Sequence, residues 1–400
     1  MKLYPPFAQH CFKIMSPGRF NPVTLFLPRN VAFGRGCAGE CADRLVREGR
    51  REVLLVFSSS VKSAAQAFID RLREQRVTVH PLTGVPPEPD VASCERLRAA
   101  IRDWKIDAVV GFGGGSVLDV AKLLAALHGR GESVRNFFGS GLLPPRTLPL
   151  LCLPTTAGAG SEVSPNAVLY DEAERLKKAV ISPHLVPDAA FVDPQLTVSL
   201  PAATTAATGL DALVHNLEAY ANRAAHPLVD PYALEGIRLI SAHLPRAVKN
   251  GADLEARSAV ALGSLFGGLC LGPVNTAAVH ALAYPLGSEF RLAHGLANAL
   301  LLPHVVRFNL PAMPERYAAI ARALGVEGSG SASEIAARGA DRLAALAMEC
   351  GLPRGLSAVG VPRDAIPRLA TDALKVTRLL KNNPREVAYD DAVRIFESAF

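Results

Sequence analysis

Short apolar runs alternate with amphipathic stretches through the first half of the chain. The runs at 52–57, 77–80, 108–112 and 148–154 have the length and composition of strands, and the stretches at 61–75, 91–104 and 117–127 have helical spacing. Repeated strand–helix units are typical of a parallel sheet covered by helices. The first half is therefore predicted to form a Rossmann-like α/β domain.

The pattern changes near residue 200. From residue 202 to residue 400, apolar residues recur almost wholly at helical spacing, in Ala- and Leu-rich segments such as 206–222, 231–243, 254–270 and 364–380. Pro, Gly or Asn separates these segments. We therefore expect two domains, an α/β domain over residues 1–200 and an all-α domain over residues 201–400.

Composition and charge exclude several classes of protein. The chain has 400 residues, of which 49% are hydrophobic and 20% charged, a balance that excludes a disordered or fibrous protein. The net charge of +6 comes from basic residues scattered among acids, so nucleic acid is not an expected partner. Seven cysteines without a CxxC pair indicate neither a zinc ribbon nor a dithiol redox site. With every long apolar run interrupted and no signal pattern at the N-terminus, we expect a reduced, cytoplasmic protein without a membrane segment.

A glycine-rich turn follows the third predicted strand and begins a helix. Its residues are Gly113, Gly114, Gly115 and Ser116. Without Cβ atoms, the backbone N–H groups of such a turn can approach a phosphate, and the helix N-terminus favours its charge. The turn is neither the Rossmann fingerprint, because Ser116 replaces the last glycine, nor a Walker loop. Phosphate binding is the favoured interpretation, and a plain tight turn is the other.

A second small-residue turn, 154–162, leaves the fourth predicted strand. Its hydroxyls and amides suit a nucleotide or a substrate carbonyl, although a simple connection would have the same composition. Two such turns at strand ends of one sheet predict a shared ligand crevice.

Four residues of the second half suggest a metal site. Asp211 and His215 are four residues apart on a predicted helix, which places a carboxylate and an imidazole on one face, and Glu218 follows at the right spacing to orient His215. His280 and His294 lie in mainly apolar surroundings, where an unpaired imidazole is costly. One carboxylate and three neutral imidazoles suit Fe²⁺, Zn²⁺, Ni²⁺ or Co²⁺. The pair Asp211 and His215 also fits a solvated helix face, and His280 or His294 taken singly also fits a core histidine.

Together these motifs resemble the iron-containing (group III) alcohol dehydrogenase family. The resemblance runs from about residue 28 to residue 385, and it is carried by the segments 113–122, 154–162, 208–215 and 294–298. It implies a dehydroquinate synthase-like architecture with a cleft between the two domains. It also implies a hydride transfer between NAD(P)H and a small alcohol or aldehyde, with the metal polarising the substrate oxygen, and an assembly of two or more copies.

The resemblance assigns residues to the metal and to the nucleotide. It implies Fe²⁺, with Zn²⁺ as an alternative, on Asp211, His215, His280 and His294. The nucleotide residues that follow from the matched motifs are Gly113, Gly114, Gly115, Ser116, Asp119, Thr155, Thr156, Ser161 and Lys178. Lys177 is the alternative to Lys178.

The sequence departs from the family pattern at two places. Many members have a further histidine four residues after the third metal ligand, and this chain has Tyr284, which we interpret as a substrate contact rather than a catalytic group. NAD-preferring members often have an aspartate after the first strand of the sheet, where this chain has Ser58, Ser59 and Ser60, with Lys62 nearby. Small hydroxyls and a lysine suit a 2′-phosphate, so the sequence favours NADP(H), with NAD(H) as the alternative.

Other functions remain open at this stage. Hydroxyacid–oxoacid transhydrogenases, with a retained nicotinamide, and maleylacetate reductases resemble the same family. Lyases of the dehydroquinate synthase type, a metal-binding protein without catalysis and an iron oxygenase fit the motifs less well. Residues near Asn166, Phe266, Cys270 and Tyr284 are expected to line the cleft, and no arginine can be placed there to bind an acidic substrate.

Overall fold

The computed structural model describes residues 22–400, so Cys11 lies outside the described residues. Its nine strands are β1 (Asn30–Phe33), β2 (Glu52–Phe57), β3 (Thr78–Leu82), β4 (Ala108–Gly113), β5 (Gly139–Ser140), β6 (Leu150–Pro154), β7 (Asn166–Asp171), β8 (Leu176–Ile181) and β9 (Ala189–Val192). Six of them form one sheet in the order β1-β9-β6-β4-β2-β3, in which every neighbouring pair is parallel. A small second sheet has the order β5-β8-β7, with β7 and β8 antiparallel.

The helices divide into two groups along the chain. Four accompany the large sheet: α1 (Ala38–Arg47), α2 (Lys62–Glu74), α3 (Val91–Ala100) and α4 (Gly115–Leu127). Ten α-helices follow residue 201: α5 (Ala202–Tyr220), α6 (Asp230–Lys249), α7 (Leu254–Leu271), α8 (Ala278–Phe290), α9 (His294–Asn309), α10 (Pro314–Ala323), α11 (Ala332–Glu349), α12 (Ile366–Leu374), α13 (Thr377–Leu380) and α14 (Tyr389–Ser398). No strand follows β9 in the described chain.

The predicted fold class, an α/β region followed by an all-helical region, is confirmed. The four predicted strands correspond to β2, β3, β4 and β6, and the three predicted helices to α2, α3 and α4. Strands β4 and β6 read as continuous apolar runs because they are central strands buried on both faces by helices. The segment 364–380, predicted as one helix, is two helices, because the chain turns at Lys375 and Val376 between α12 and α13.

The carboxyl ends of three central strands meet at one edge of the sheet. Phe57 pairs with Phe112, and Gly113 pairs with Pro154, so β2, β4 and β6 end side by side. The turns that follow these strands therefore border the same crevice, which is where open parallel sheets bind ligands.

The helix α7 has the length and apolar composition to cross a membrane. Of its residues, 61% are buried, and it packs against α5 and α6 within the helical region. A helix buried in the core of a helical bundle has the same apolar composition, so composition alone is weak support for a membrane span.

The turn after β6 contacts the helical region backbone to backbone. Gly160 has a φ of 61°, and a Cβ added there would lie 2.3 Å from the Cα of Gly268 on α7. Added at Gly158, a Cβ would lie 2.8 Å from the Cβ of Thr208 on α5. The turn can approach both helices only because glycine occupies these positions.

We expect Gly160→Ala to lower the free energy of unfolding by about 2 kcal/mol or more, because the methyl group meets the α7 backbone and the residue has a left-handed conformation. Gly131→Ala is the matched control, because an added Cβ there has no neighbour within 4 Å and the change should stay within about 0.5 kcal/mol. Thermal unfolding of the two variants measures the difference. Equal melting temperatures would show that there is room for a methyl group between Gly160 and the backbone of α7.

Candidate metal centre

Three helices bring the predicted metal-binding residues together. Helix α5 carries Asp211 and His215, His280 lies in the first turn of α8, and His294 begins α9. One donor atom each from Asp211, His215 and His280 lies within 4.8 Å of the others. Nε2 of His280 is 3.7 Å and Nε2 of His294 is 3.8 Å from Oδ1 of Asp211. All four side chains therefore converge on one point.

Hydrogen bonds fix the tautomers of two of these histidines. Nδ1 of His215 lies 3.1 Å from the carbonyl oxygen of Gly158, which can only accept, so Nδ1 carries the proton. Nδ1 of His280 donates to Oε2 of Glu218 at 2.7 Å. Nε2 of each ring is then left with a free lone pair. The buried Nε2 of His280 has no hydrogen-bond partner among the described residues, and such an atom is costly unless a ligand satisfies it.

The charges at this point match those of a metal-binding set. Burial works to raise the pKa of Asp211, yet the nearby imidazoles and the Asn298 amide hold it at about 2. Burial lowers the pKa of His215 and lowers that of His294 well below its usual range. At neutral pH the site therefore contains the Asp211 carboxylate and the neutral imidazoles of His215 and His294, protonation states that bind a divalent transition metal. The residues fit such an ion.

Glu218 has a different partner from the one that the sequence predicted. It was expected to orient His215, but it lies against the start of α8, where it accepts hydrogen bonds from His280 and from the backbone N–H groups of Ala277 and Val279, at 3.0 and 2.6 Å. His215 is oriented instead by the turn after β6. Helical spacing along α5 cannot show which histidine of another helix faces Glu218.

Asn298 is a residue of the site that the sequence analysis did not assign. Its fully buried side-chain amide donates to Oδ1 of Asp211 at 2.6 Å and lies 3.3 Å from Nε2 of His294. Asn298 is four residues after His294 and so shares its helix face, a spacing that could have identified it.

The glycine-rich turn and the turn after β6 lie side by side. The N–H of Thr155 donates to the carbonyl oxygen of Gly113 at 3.0 Å. A Cβ added at Gly114 would lie 3.2 Å from Thr156, and one added at Gly115 would lie 2.6 Å from Ala159. Gly114 caps α4, so the N-terminal N–H groups of this helix face the crevice at the sheet edge.

The other predicted nucleotide residues differ in their hydrogen-bond partners and in their exposure. Ser116 donates to the carbonyl oxygen of Pro87. Asp119 accepts from the Ser161 hydroxyl at 2.5 Å and from the Val168 N–H at 2.9 Å, so the protein itself occupies both of its oxygens. The hydroxyls of Ser58 and Ser60 lie 2.7 Å apart at the end of β2, with Lys62 exposed beyond them. These last residues border the same sheet edge as the glycine-rich turn.

The two adjacent lysines of β8 point in opposite directions. Lys178 lies against Glu174 and 3.6 Å from Asp171, on the side away from the metal-binding residues. Lys177 is bound to Glu88 at 2.5 Å and its Nζ lies 5.7 Å from the ring of Tyr284. Because side chains alternate along a strand, only one of the two can face the cleft, and the structure places Lys177 there.

Tyr284, one of the expected cleft residues, lies beside His294. This side chain is buried, its ring lies 5.9 Å from that of His294, and it is hydrogen-bonded to Arg378 of the short helix α13. Burial raises the pKa of Tyr284. Oδ1 of Asn166 is buried without a partner in the described chain, whereas the Cys270 thiol donates to the carbonyl of Phe266. Arg378 is thus an arginine next to Tyr284 that the sequence analysis did not identify, because the two residues are far apart in the chain.

Comparison with known proteins gives a consistent result over the whole chain. Residues 28–194 match the family described as iron-containing alcohol dehydrogenase, and residues 205–400 match the C-terminal region of the Fe-containing alcohol dehydrogenase family. Long-chain-alcohol dehydrogenase 1 of Geobacillus thermodenitrificans is 40% identical over 375 residues, which are 92% of this chain and 94% of that protein.

Solved structures show the same similarity. A 1,3-propanediol oxidoreductase is 34% identical and superposes with a TM-score of 0.91 over 95% of this chain and 100% of the other. Sulfoacetaldehyde reductase from Bifidobacterium kashiwanohense, solved with NAD⁺, is 30% identical with a TM-score of 0.85 over 95% of this chain and 99% of its own. The resemblance stated from the motifs and the architecture that it implied are confirmed.

We expect Glu218→Gln to weaken metal binding about 10-fold or more, because the neutral amide orients His280 less firmly and makes its ring a poorer ligand. Dialysis against buffered Co²⁺ or Zn²⁺, followed by metal analysis, measures the change. Glu174→Gln is the matched control, because Glu174 is exposed on the far side of β8 and should leave the metal content unchanged. A metal affinity equal to that of the unsubstituted protein would show that Glu218 does not support metal binding.

Proposed function

The chain belongs to the iron-containing alcohol dehydrogenase family, and we propose that it transfers a hydride between a nicotinamide nucleotide and a small alcohol or aldehyde. One observation carries this proposal. The turn after β6 lies against the glycine-rich turn at Gly114 and Gly115, and its Gly158 carbonyl accepts from His215. A phosphate-binding turn and a metal-binding cluster are therefore joined by a single short segment.

In the proposed site, Asp211, His215, His280 and His294 hold Fe²⁺, and Zn²⁺ is the alternative ion. Bound there, the ion supplies Lewis-acid polarisation of the substrate oxygen. Glu218 and Asn298 hold His280 and Asp211 in place. His294 is the most exposed member at 30% of its side chain, so the cluster opens toward the cleft on that side. Burial of the other members excludes water from the rest of the site.

The nucleotide is proposed to lie along the carboxyl edge of the sheet. The N–H groups at the start of α4 bind its phosphates, with Thr155 and Thr156 beside them, and Lys177 takes the position in the cleft that the motif comparison gave to Lys178. We favour NADP(H) because Ser58, Ser60 and the exposed Lys62 suit a 2′-phosphate, and residues 58–62 contain no Asp or Glu. NAD(H) is the alternative, and the sulfoacetaldehyde reductase structure contains NAD⁺.

The proposal includes a cytoplasmic homodimer. The six cysteines of residues 22–400 are free and buried, as expected of a protein from a reducing compartment. The edge strand β1 and the segment before it expose large apolar side chains, namely Phe26, Leu27, Val31 and Phe33. Exposed apolar groups on an edge strand are typical of a surface that another chain covers.

Metal dependence is the first test. We expect protein stripped of metal to be inactive and to regain aldehyde-dependent oxidation of NADPH or NADH when Fe²⁺ is added without oxygen, because the donor set needs an ion to act on the substrate. The aldehyde panel includes one with an anionic group, since Arg378 lies beside Tyr284. Asp211→Ala should stay inactive with Fe²⁺. Iron-loaded protein that oxidises neither nucleotide would contradict the proposal and favour transhydrogenation with a retained nicotinamide.

Coenzyme choice is tested at Lys62. We expect Lys62→Ala to raise KM for NADPH about 10-fold and to leave KM for NADH nearly unchanged, because only NADPH has the 2′-phosphate that the lysine would bind. Lys105→Ala, which removes a lysine at the opposite end of the sheet before β4, is the control. If the substitution at Lys62 changes neither KM, the choice of NADP(H) is wrong while the reaction class stands.

A further inference from the structure

A lysine without an assigned role lies inside the nucleotide-binding region. Lys122 is on α4, two turns after the glycine-rich turn, and its side chain is completely buried. Its Nζ donates to the carbonyl oxygen of Ser164 at 2.9 Å, to the Ser164 hydroxyl at 3.3 Å and to the carbonyl oxygen of Asn166 at 2.8 Å. The side chain thus links α4 to the end of the segment between β6 and β7 and to the first residue of β7.

The contacts of Lys122 match those of a charged lysine. Three acceptors surround Nζ, and only an ammonium group has three N–H donors. Asp119, one turn earlier on α4, supplies a carboxylate at 3.9 Å. Burial lowers the pKa of Lys122 and raises that of Asp119, and each charge partly offsets the cost of burying the other.

Asp119 and Lys122 hold the same segment at four points. Asp119 accepts from Ser161 and from the N–H of Val168, and Lys122 binds Ser164 and Asn166 between them. A buried ion pair is weak support for stability, since apolar side chains of similar size often stabilise a core as well. The pair instead restricts where residues 161–168 can lie relative to α4.

The restrained segment continues directly from the turn that touches both parts of the proposed site. Thr155 and Thr156 lie beside the glycine-rich turn, the Gly158 carbonyl fixes the His215 ring, and Gly160 packs on Gly268. Asn166, whose carbonyl Lys122 holds, has a buried amide oxygen without a partner in the described residues. A shift of this segment would therefore move the nucleotide-binding groups and a metal ligand together.

We infer that Lys122, paired with Asp119, is a positioning residue that sets the place of residues 154–168 between the nucleotide phosphates and the metal ligand His215. Nζ of the completely buried Lys122 is bonded to Ser164 and Asn166, and the residue acts through this segment rather than by direct contact with a ligand. The inference rests on the proposed function, because the site that it positions is the proposed one.

The test uses Lys122→Met, which keeps the length of the side chain and removes its charge and its three hydrogen bonds. In the full-length protein loaded with Co²⁺ in place of Fe²⁺, we expect Co²⁺ affinity to fall about 10-fold and the visible absorption bands of the ion to change, because His215 loses its fixed orientation. KM for the preferred nucleotide should rise about 10-fold, with KM for the aldehyde nearly unchanged.

A matched control separates positioning from loss of stability. Leu343→Ala removes a fully buried side chain of α11, a helix that packs mainly against α10 and α9, so it should lower the melting temperature and leave the Co²⁺ spectrum and nucleotide KM unchanged. If Lys122→Met behaves like this control, the inference is wrong.

A second variant decides the matter if Lys122→Met does not fold. Asp119→Asn keeps the size of the side chain and removes the charge beside Lys122, so Co²⁺ affinity should fall by a smaller factor, and an unchanged affinity would overturn the inference. Metal affinity and the Co²⁺ spectrum need no turnover. An enzyme inactive with every alcohol and aldehyde would contradict the proposed function, whereas unchanged metal binding in these variants contradicts only the role of Lys122.

Discussion

The contact between the turn after β6 and the helices of the second half is the constraint on which the site depends. Gly158 and Gly160 have no side chains, so the turn approaches α5 and α7 closely enough for a backbone carbonyl to reach His215. The same turn lies against the start of α4 at Gly114 and Gly115. Strands of one region and helices of the other are thereby joined at a fixed distance. Main-chain contacts, which vary little with side-chain motion, therefore fix His215, a proposed metal ligand, relative to the proposed phosphate-binding turn.

Burial of charge is the second requirement of this arrangement. Asp211, Glu218, Asp119 and Lys122 all lie mostly inside the protein, where an unpaired charge would be costly. Each has specific partners: Glu218 accepts three hydrogen bonds, and Lys122 donates three. The buried Nε2 of His280, by contrast, faces the other three predicted metal ligands and has no hydrogen-bond partner among the described residues.

The sequence predicts the parts of this structure that depend on local patterns. Continuous apolar runs reveal β2, β4 and β6 because central parallel strands are buried on both faces. The sequence pattern does not reveal β7 and β8. Their residues alternate in character and include the charged Lys177 and Lys178, as suits a small sheet covered on one side. The four proposed metal ligands are recognisable by residue type and by their motifs. The residues that hydrogen-bond to the site are harder to recognise from the sequence. Tertiary packing alone brings Glu218 to His280 and Arg378 to Tyr284.

The unequal exposure of the four proposed metal ligands has a kinetic consequence. Asp211, His215 and His280 are buried and held by neighbours, whereas His294 begins a helix at the open side of the cluster. An ion that exchanges with solvent passes this histidine, which is expected to be the last group to bind an arriving ion and the first to release a departing one. A molecule seated in the cleft covers the same opening. Occupancy of the cleft should therefore slow the escape of the ion, so that a working enzyme retains its metal longer than an idle one.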